Sequence, residues 1–216
     1  MKLFLSFPLI FLCNLSAEII APIPQYSVYN HPKALLGKRL FFEPGLSKKG
    51  TIACVNCHQL PGGGADNKAY SLGVYGKEGD INTPSVLNSR YHFVQFWDGR
   101  AKTLKDQVSG PISNPKEMAS SMKHAVAFLT SIPSYQKAFK KLYPSGITEE
   151  TLADAISEFE KALITPNSRY DRYLNREISS LTSKEMQGKN LFFDYGCIAC
   201  HNGITIGGNM YQKIGV

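Results

Sequence analysis

The sequence predicts an all-α protein assembled from two units built alike. Three observations predict it. Apolar residues recur at three- and four-residue spacing in several segments, as one face of a helix requires. Helix-start signatures stand where such stripes begin: Thr148 precedes Glu149 and Glu150, and Thr182 lies three residues ahead of Glu185. A block Gly37-Lys38-Arg39-Leu40-Phe41-Phe42 is echoed as Gly188-Lys189-Asn190-Leu191-Phe192-Phe193, and each copy stands ahead of a Cys-x-x-Cys-His motif.

The elements follow in order. Residues 18–30 read as an extended lead-in, because Pro22 and Pro24 oppose a helix. Residues 31–42 read as a helix with Leu35, Leu36, Leu40 and Phe41 on a stripe. A turn-rich break at 45–50 leads to the first Cys-x-x-Cys-His, and Pro61-Gly62-Gly63-Gly64 opens irregular chain that continues to about Asn82. Helix resumes over 101–108. Residues 120–131 form a further candidate with Met122, Val126 and Leu129 on one face. The clearest helix is 148–163, lined by Leu152, Ile156, Phe159 and Leu163. A last helix runs from the Thr182 cap to Phe193.

Composition sets bounds. The chain has 216 residues, 43% hydrophobic and 19% charged, which excludes a disordered chain and allows one or two small domains. The net charge of +7 suits a solvated basic surface or an acidic protein partner. Nucleic acid is not expected as a partner, because no nucleic-acid motif and no run of five or six like charges occurs. Lys2, an apolar run over 3–13 and Leu15-Ser16-Ala17 form a secretory leader with a cut at Ala17–Glu18. A lipoprotein cut before Cys13 is disfavoured by bulky Leu12. The apolar run is short for a bilayer span, and no later segment reads as one.

Removing the leader removes Cys13 and leaves Cys54, Cys57, Cys197 and Cys200. All four lie inside Cys54-Val55-Asn56-Cys57-His58 and Cys197-Ile198-Ala199-Cys200-His201, so none is left for a disulfide elsewhere. The motif has a geometric logic. Two thiols add to the two vinyl groups of a haem, and the adjacent histidine reaches the iron from one face. The sequence therefore predicts two covalently bound haem c groups, on His58 and His201 as iron ligands. Zinc would need four thiolates converging on one ion, and a redox dithiol belongs in a thioredoxin-like βαβ pattern that is absent. Of the remaining histidines, His31 and His124 read as surface or core residues. His92, in the aromatic stretch 91–97, stays open as an iron ligand, and Met210 follows the second motif too closely to reach the far face of its haem.

On these motifs the chain resembles the bacterial di-haem cytochrome c peroxidases. The matching stretches are Leu36 to Phe42, Cys54 to His58, Asn82-Thr83-Pro84-Ser85-Val86-Leu87-Asn88, Gln95-Phe96-Trp97-Asp98-Gly99-Arg100, Gly110-Pro111-Ile112 with Glu117-Met118, and Cys197 to Gly208. They span 29–216. The resemblance implies a periplasmic protein of two cytochrome c-like haem domains that reduces hydrogen peroxide to water. Its electrons would come from a small cytochrome c or copper protein, and a homodimer is a candidate assembly. The N-terminal haem meets peroxide and the C-terminal haem receives electrons. By position, Glu117 matches the distal acid–base residue, Gln107 the distal glutamine beside it, Trp97 the tryptophan between the haems, and Asn82 one ligand of a calcium ion. The division is a leader over 1–17, a peroxidatic haem domain over 18–147 and an electron-transfer haem domain over 148–216.

Two departures are expected to matter. Many relatives carry a histidine in a Ser-x-Gly-His stretch that caps the peroxidatic iron at rest. Here it reads Ser71-Leu72-Gly73-Val74, and valine cannot bind iron. Relatives also continue well beyond the 207–216 region, with the methionine ligand of the second haem and further calcium ligands there. The second domain is thus expected to be incomplete. The competing readings are a non-catalytic di-haem electron-transfer cytochrome, a relative of haem enzymes that oxidise tryptophan in a partner protein, and an inactive truncated product.

Overall fold

The structure is a computed structural model that describes residues 19–213. The expected leader at 1–17, with Cys13, lies outside the described residues. Among these, the chain is helix, turn and loop without a strand, and pairing is confined to two isolated antiparallel bridges, Leu72 with Glu78 and Gln95 with Ala101. The all-α expectation is met.

Helix α1 is His31–Phe41. Asn30 starts it by accepting the Lys33 N–H on its side chain, and Pro32 takes the first turn, where no N–H is needed. The first cysteine motif forms a single turn, α2, Cys54–Cys57. Most of the chain from there to residue 103 is loop. The helix expected over 101–108 is shorter, because Thr103 and Asp106 cap each other and so begin α3 at Leu104–Gln107; α4, Ser109–Ser113, follows at once. Then come α5, Met122–Thr130, and α6, Pro133–Leu142. Helix α7, Glu149–Ala162, is capped by Thr148, and α8 is Arg169–Leu174. Helix α9, Ser183–Asp194, has the reciprocal cap of Thr182 and Glu185 read from the sequence.

The core forms where α1 crosses α7. Gly37 makes that crossing close: a Cβ there would lie 1.8 Å from the Ala155 carbonyl oxygen, so only glycine lets the backbones meet. Around it Leu36, Leu40, Leu152 and Ile156 are sealed from solvent with Leu129, Phe139 and Ile112. Phe41 meets Phe159 edge-on at 5.2 Å between centroids, and this pair with Val86 packs onto Cys54 and Val55. Helix α7 thus closes the core that carries the first motif, although the division read from the sequence starts a new domain at 148. Helix α9 has no buried residue among those described, and Leu191 and Tyr195 stand exposed on it and just after it.

Candidate haem and peroxide site

The two cysteine motifs fold alike. In each, the histidine N–H donates to the carbonyl of the first cysteine at 2.9 Å, His58 to Cys54 and His201 to Cys197. Each imidazole then holds its Nδ1 against a later carbonyl: His58 against Gly64 at 3.2 Å and His201 against Ile206 at 3.3 Å. With Nδ1 as donor, Nε2 is left with its lone pair, the form that binds iron. The echoed blocks supply equivalent rings. Phe41 lies 6.3 Å from the His58 ring, and Phe192 lies 6.1 Å from that of His201.

Their settings differ. Cys54, Cys57 and His58 line a cavity of about 350 Å³ between α1, α2, α3, α7 and the loops that follow the first motif. Burial lowers the pKa of His58, which favours its neutral form. Burial also pushes the Cys54 thiol up to about 12, unlike a reactive redox thiol. Cys197, Cys200 and His201 are exposed, beside a shallower cavity lined by Gly188, Phe192 and Ile206. Among the described residues no three His, Cys, Asp or Glu side chains gather as a metal cluster, so the cysteine pairs do not converge as zinc would need.

The same cavity collects Glu117, Gln107, Trp97 and Asn82. Glu117 follows the α4 turn and accepts the Asn114 amide N–H at 2.7 Å. Burial raises its pKa, while Asn114 and the Arg100 charge pull it down. Gln107, at the end of α3, donates its amide N–H to Glu160 at 2.9 Å. The Trp97 indole N–H donates to the backbone carbonyl of Asn82 at 2.9 Å. The Asn82 side chain donates to the Lys68 carbonyl. The site residues read around the first motif therefore meet in one place, and the second motif stands apart from them.

The remaining candidates lie elsewhere. His31 and His124 are exposed. His92 is outside the first cavity, under Gly208 of the second motif's loop. Met210 is exposed, its sulfur near the Gln212 amide. Val74 is buried but does not line the cavity.

A family model described as di-haem cytochrome c peroxidase matches residues 31–179. The chain belongs to the di-haem cytochrome c peroxidase family. It is 48% identical over 200 residues to the cytochrome c551 peroxidase of Nitrosomonas europaea, covering 92% of this chain and 60% of that one. It is 44% identical over 200 residues to the cytochrome c peroxidase Ccp of Escherichia coli, covering 92% of this chain and 43% of that one. Among solved structures it is similar to a MauG-like protein associated with microbial copper homeostasis, at 28% identity and a TM-score of 0.76, covering 93% of this chain and 62% of that one. The chain thus spans about half the length of the curated relatives it matches.

The peroxidase family's cofactor is haem, and the residues fit it. A cavity with two thiols and a carbonyl-braced imidazole on its wall is what attachment through Cys54 and Cys57 with ligation by His58 requires. Sequence reading missed three polar groups of this cavity. Asn114 braces Glu117. Arg100 stacks on the Phe96 ring at 3.6 Å and bears on Glu117 by its charge. Glu160 is buried, and burial pushes its carboxyl up to about 8. A signal for Glu160 existed. It falls at i+4 and i+8 from Ile156 and Leu152, so a carboxylate interrupts the apolar stripe of α7.

Proposed function

We propose that this chain reduces hydrogen peroxide to water as a di-haem cytochrome c peroxidase. One observation carries the reading: a single cavity holds the first haem motif together with a desolvated carboxyl and a primary amide that face no structural partner beyond their own braces. A haem bound through Cys54, Cys57 and His58 supplies the iron at which peroxide binds and is reduced. The rest is the work of side chains. Cleaving the O–O bond needs a proton taken from one oxygen and given to the other, and Glu117, with its pKa raised by burial, suits both transfers. Gln107 orients the bound peroxide by hydrogen bonding. Asn114 and Arg100 favour the ionised form of Glu117 against its burial, so neither form is excluded. The balance is H2O2 with two electrons and two protons giving two molecules of water.

Cys197, Cys200 and His201 would hold a second haem, which would supply the entry point for electrons from a small cytochrome c or copper protein. Trp97, which lines the first cavity, is assigned by its match to the family to the route between the two haems. Export to the periplasm fits the leader at 1–17 and haem attachment through cysteines. Among the described residues no helix is long and apolar enough to cross a membrane. Calcium takes six to eight oxygen ligands. Asn82 offers one amide oxygen and no gathered carboxylates, so the ion would rest on carbonyl oxygens and water, and no step depends on it.

The test is peroxide-dependent oxidation of a reduced cytochrome by the full chain after periplasmic haem maturation. Glu117→Gln keeps the shape and removes the proton carrier. It is expected to slow turnover by about 10²–10⁴-fold with haem mass and visible spectrum unchanged. A fully haem-loaded wild-type chain with no peroxide turnover would make it an electron-transfer cytochrome instead.

A further inference from the structure

Glu160 is the buried group that the scheme above leaves unused. It stands on α7 with 6% of its surface exposed and forms part of the cavity wall with Cys54, Gln107 and Glu117. Its Oε1 accepts the Gln107 amide N–H at 2.9 Å, and its Oε2 is sealed from solvent without a hydrogen-bond partner. A buried carboxyl with an empty oxygen destabilises a fold, and an apolar side chain of similar shape would avoid that cost. Packing therefore gives no reason for a carboxyl here. Nor does ion pairing: Lys161, next along α7, pairs with Glu158, Lys105 of α3 pairs with Glu150, and Arg100 pairs with Asp98. What Glu160 does contact is the donor end of the Gln107 amide.

A primary amide has two N–H donors and one carbonyl acceptor. Anchoring the nitrogen end fixes the plane of the amide and leaves the oxygen end for the cavity. We propose that Glu160 is a positioning residue that turns the Gln107 carbonyl oxygen toward the ligand at the first haem, making the pocket an acceptor for the O–H of hydrogen peroxide. The inference rests on the peroxide reading above. It also assigns specificity. An acceptor at that place favours a neutral ligand carrying O–H donors and disfavours anions with lone pairs alone.

Fluoride, an acceptor-only ligand of ferric haem, tests this. The full chain with both haems attached is titrated with fluoride in the ferric state, and its reaction with peroxide is timed separately. Glu160→Leu removes the anchor and fills the space, so the freed amide can turn an N–H to fluoride. Fluoride affinity is expected to rise about tenfold, the worth of one hydrogen bond to a charged group, while the peroxide reaction slows. Glu160→Gln retains an acceptor oxygen and is expected to restore wild-type fluoride affinity. In a Gln107→Leu background, Glu160→Leu should change nothing. If Glu160→Leu does not load haem, Glu160→Asp, which withdraws the oxygens by one methylene, should show a smaller rise. Fluoride affinity that is unchanged or weakened in Glu160→Leu and Glu160→Asp overturns the role of Glu160 alone. Failure of fluoride to bind any form, wild type included, overturns the open peroxide site as well.

Discussion

Glu117 owes its place to a neighbour with no side chain. The Val74 N–H donates to the Glu117 carbonyl at 2.7 Å, and the chain before it presses against the same segment. A Cβ on Gly73 would lie 2.1 Å from the Lys116 carbonyl oxygen and 2.5 Å from that of Glu117. The loop is fastened here, and Val74 is buried in the fastening. Gly73→Ala must push residues 116–117 away by the better part of an ångström. Displacement of that size costs on the order of a hundredfold in rate when the group must meet a reacting atom. Peroxide turnover is expected to fall by about that factor, with haem mass unchanged. Turnover within twofold of wild type would mean that Glu117 is not held by this contact. Little of this could be read from residues alone. Glu117 is a single carboxylate in a proline-bearing loop, 59 positions from His58, and only the resemblance marked it. Cysteine spacing, by contrast, is local, so the haem motifs were plain.

Among the helices, α7 shows how a site group leaves a mark on stability. Glu160 has its carboxyl pushed from the ordinary 4.5 up to about 8 by burial. Between those values the folded chain holds a proton that the unfolded chain has released. Stability contributed by the neutral carboxyl is full below 4.5 and is lost as pH rises toward 8, at up to about 1.4 kcal/mol per pH unit. Urea midpoints of the haem-loaded chain are expected to fall between pH 5 and pH 8, and Glu160→Gln should flatten that fall. A midpoint that rises over this range would contradict the assignment. The long helices were legible because their ends and faces are local. Thr148 and Thr182 cap where the sequence says they should, and α1 and α5 end within two residues of expectation. Helix α6 was not read. Its Tyr135, Ala138, Phe139 and Leu142 do form a helical stripe, but it is set among lysines and begins at Pro133, which reads as a break. Helix α8 is a single six-residue element whose cap, Ser168 with Asp171, looks like a turn.

Across the molecule, one loop joins the first cavity to the chain that follows the second haem motif. At one end of the stretch 92–97, the Phe93 N–H donates to the Gly208 carbonyl at 3.0 Å and the Phe93 ring meets Tyr211 edge-on at 4.9 Å. At the other end Trp97 lines the first cavity and is tied through its indole to Asn82. Between them Gln95 is buried, with its backbone paired to Ala101 and its side chain donating to the Ser89 carbonyl. The stretch is therefore braced along its length and does not depend on either end for its course. Such a strap suits a fixed route for electrons, because transfer between separated centres depends on the matter between them staying in place. Trp97→Leu removes the aromatic ring and its hydrogen bond while retaining an apolar side chain. The decisive measurement starts with both haems reduced and adds one equivalent of peroxide. The absorbance of the second haem is then followed as it reoxidises. Trp97→Leu is expected to slow that reoxidation about tenfold or more, while haem mass and the ferric spectrum stay as in the wild type. Reoxidation at the wild-type rate would remove Trp97 from the route and leave the strap a purely mechanical link between the first cavity and the chain after the second motif.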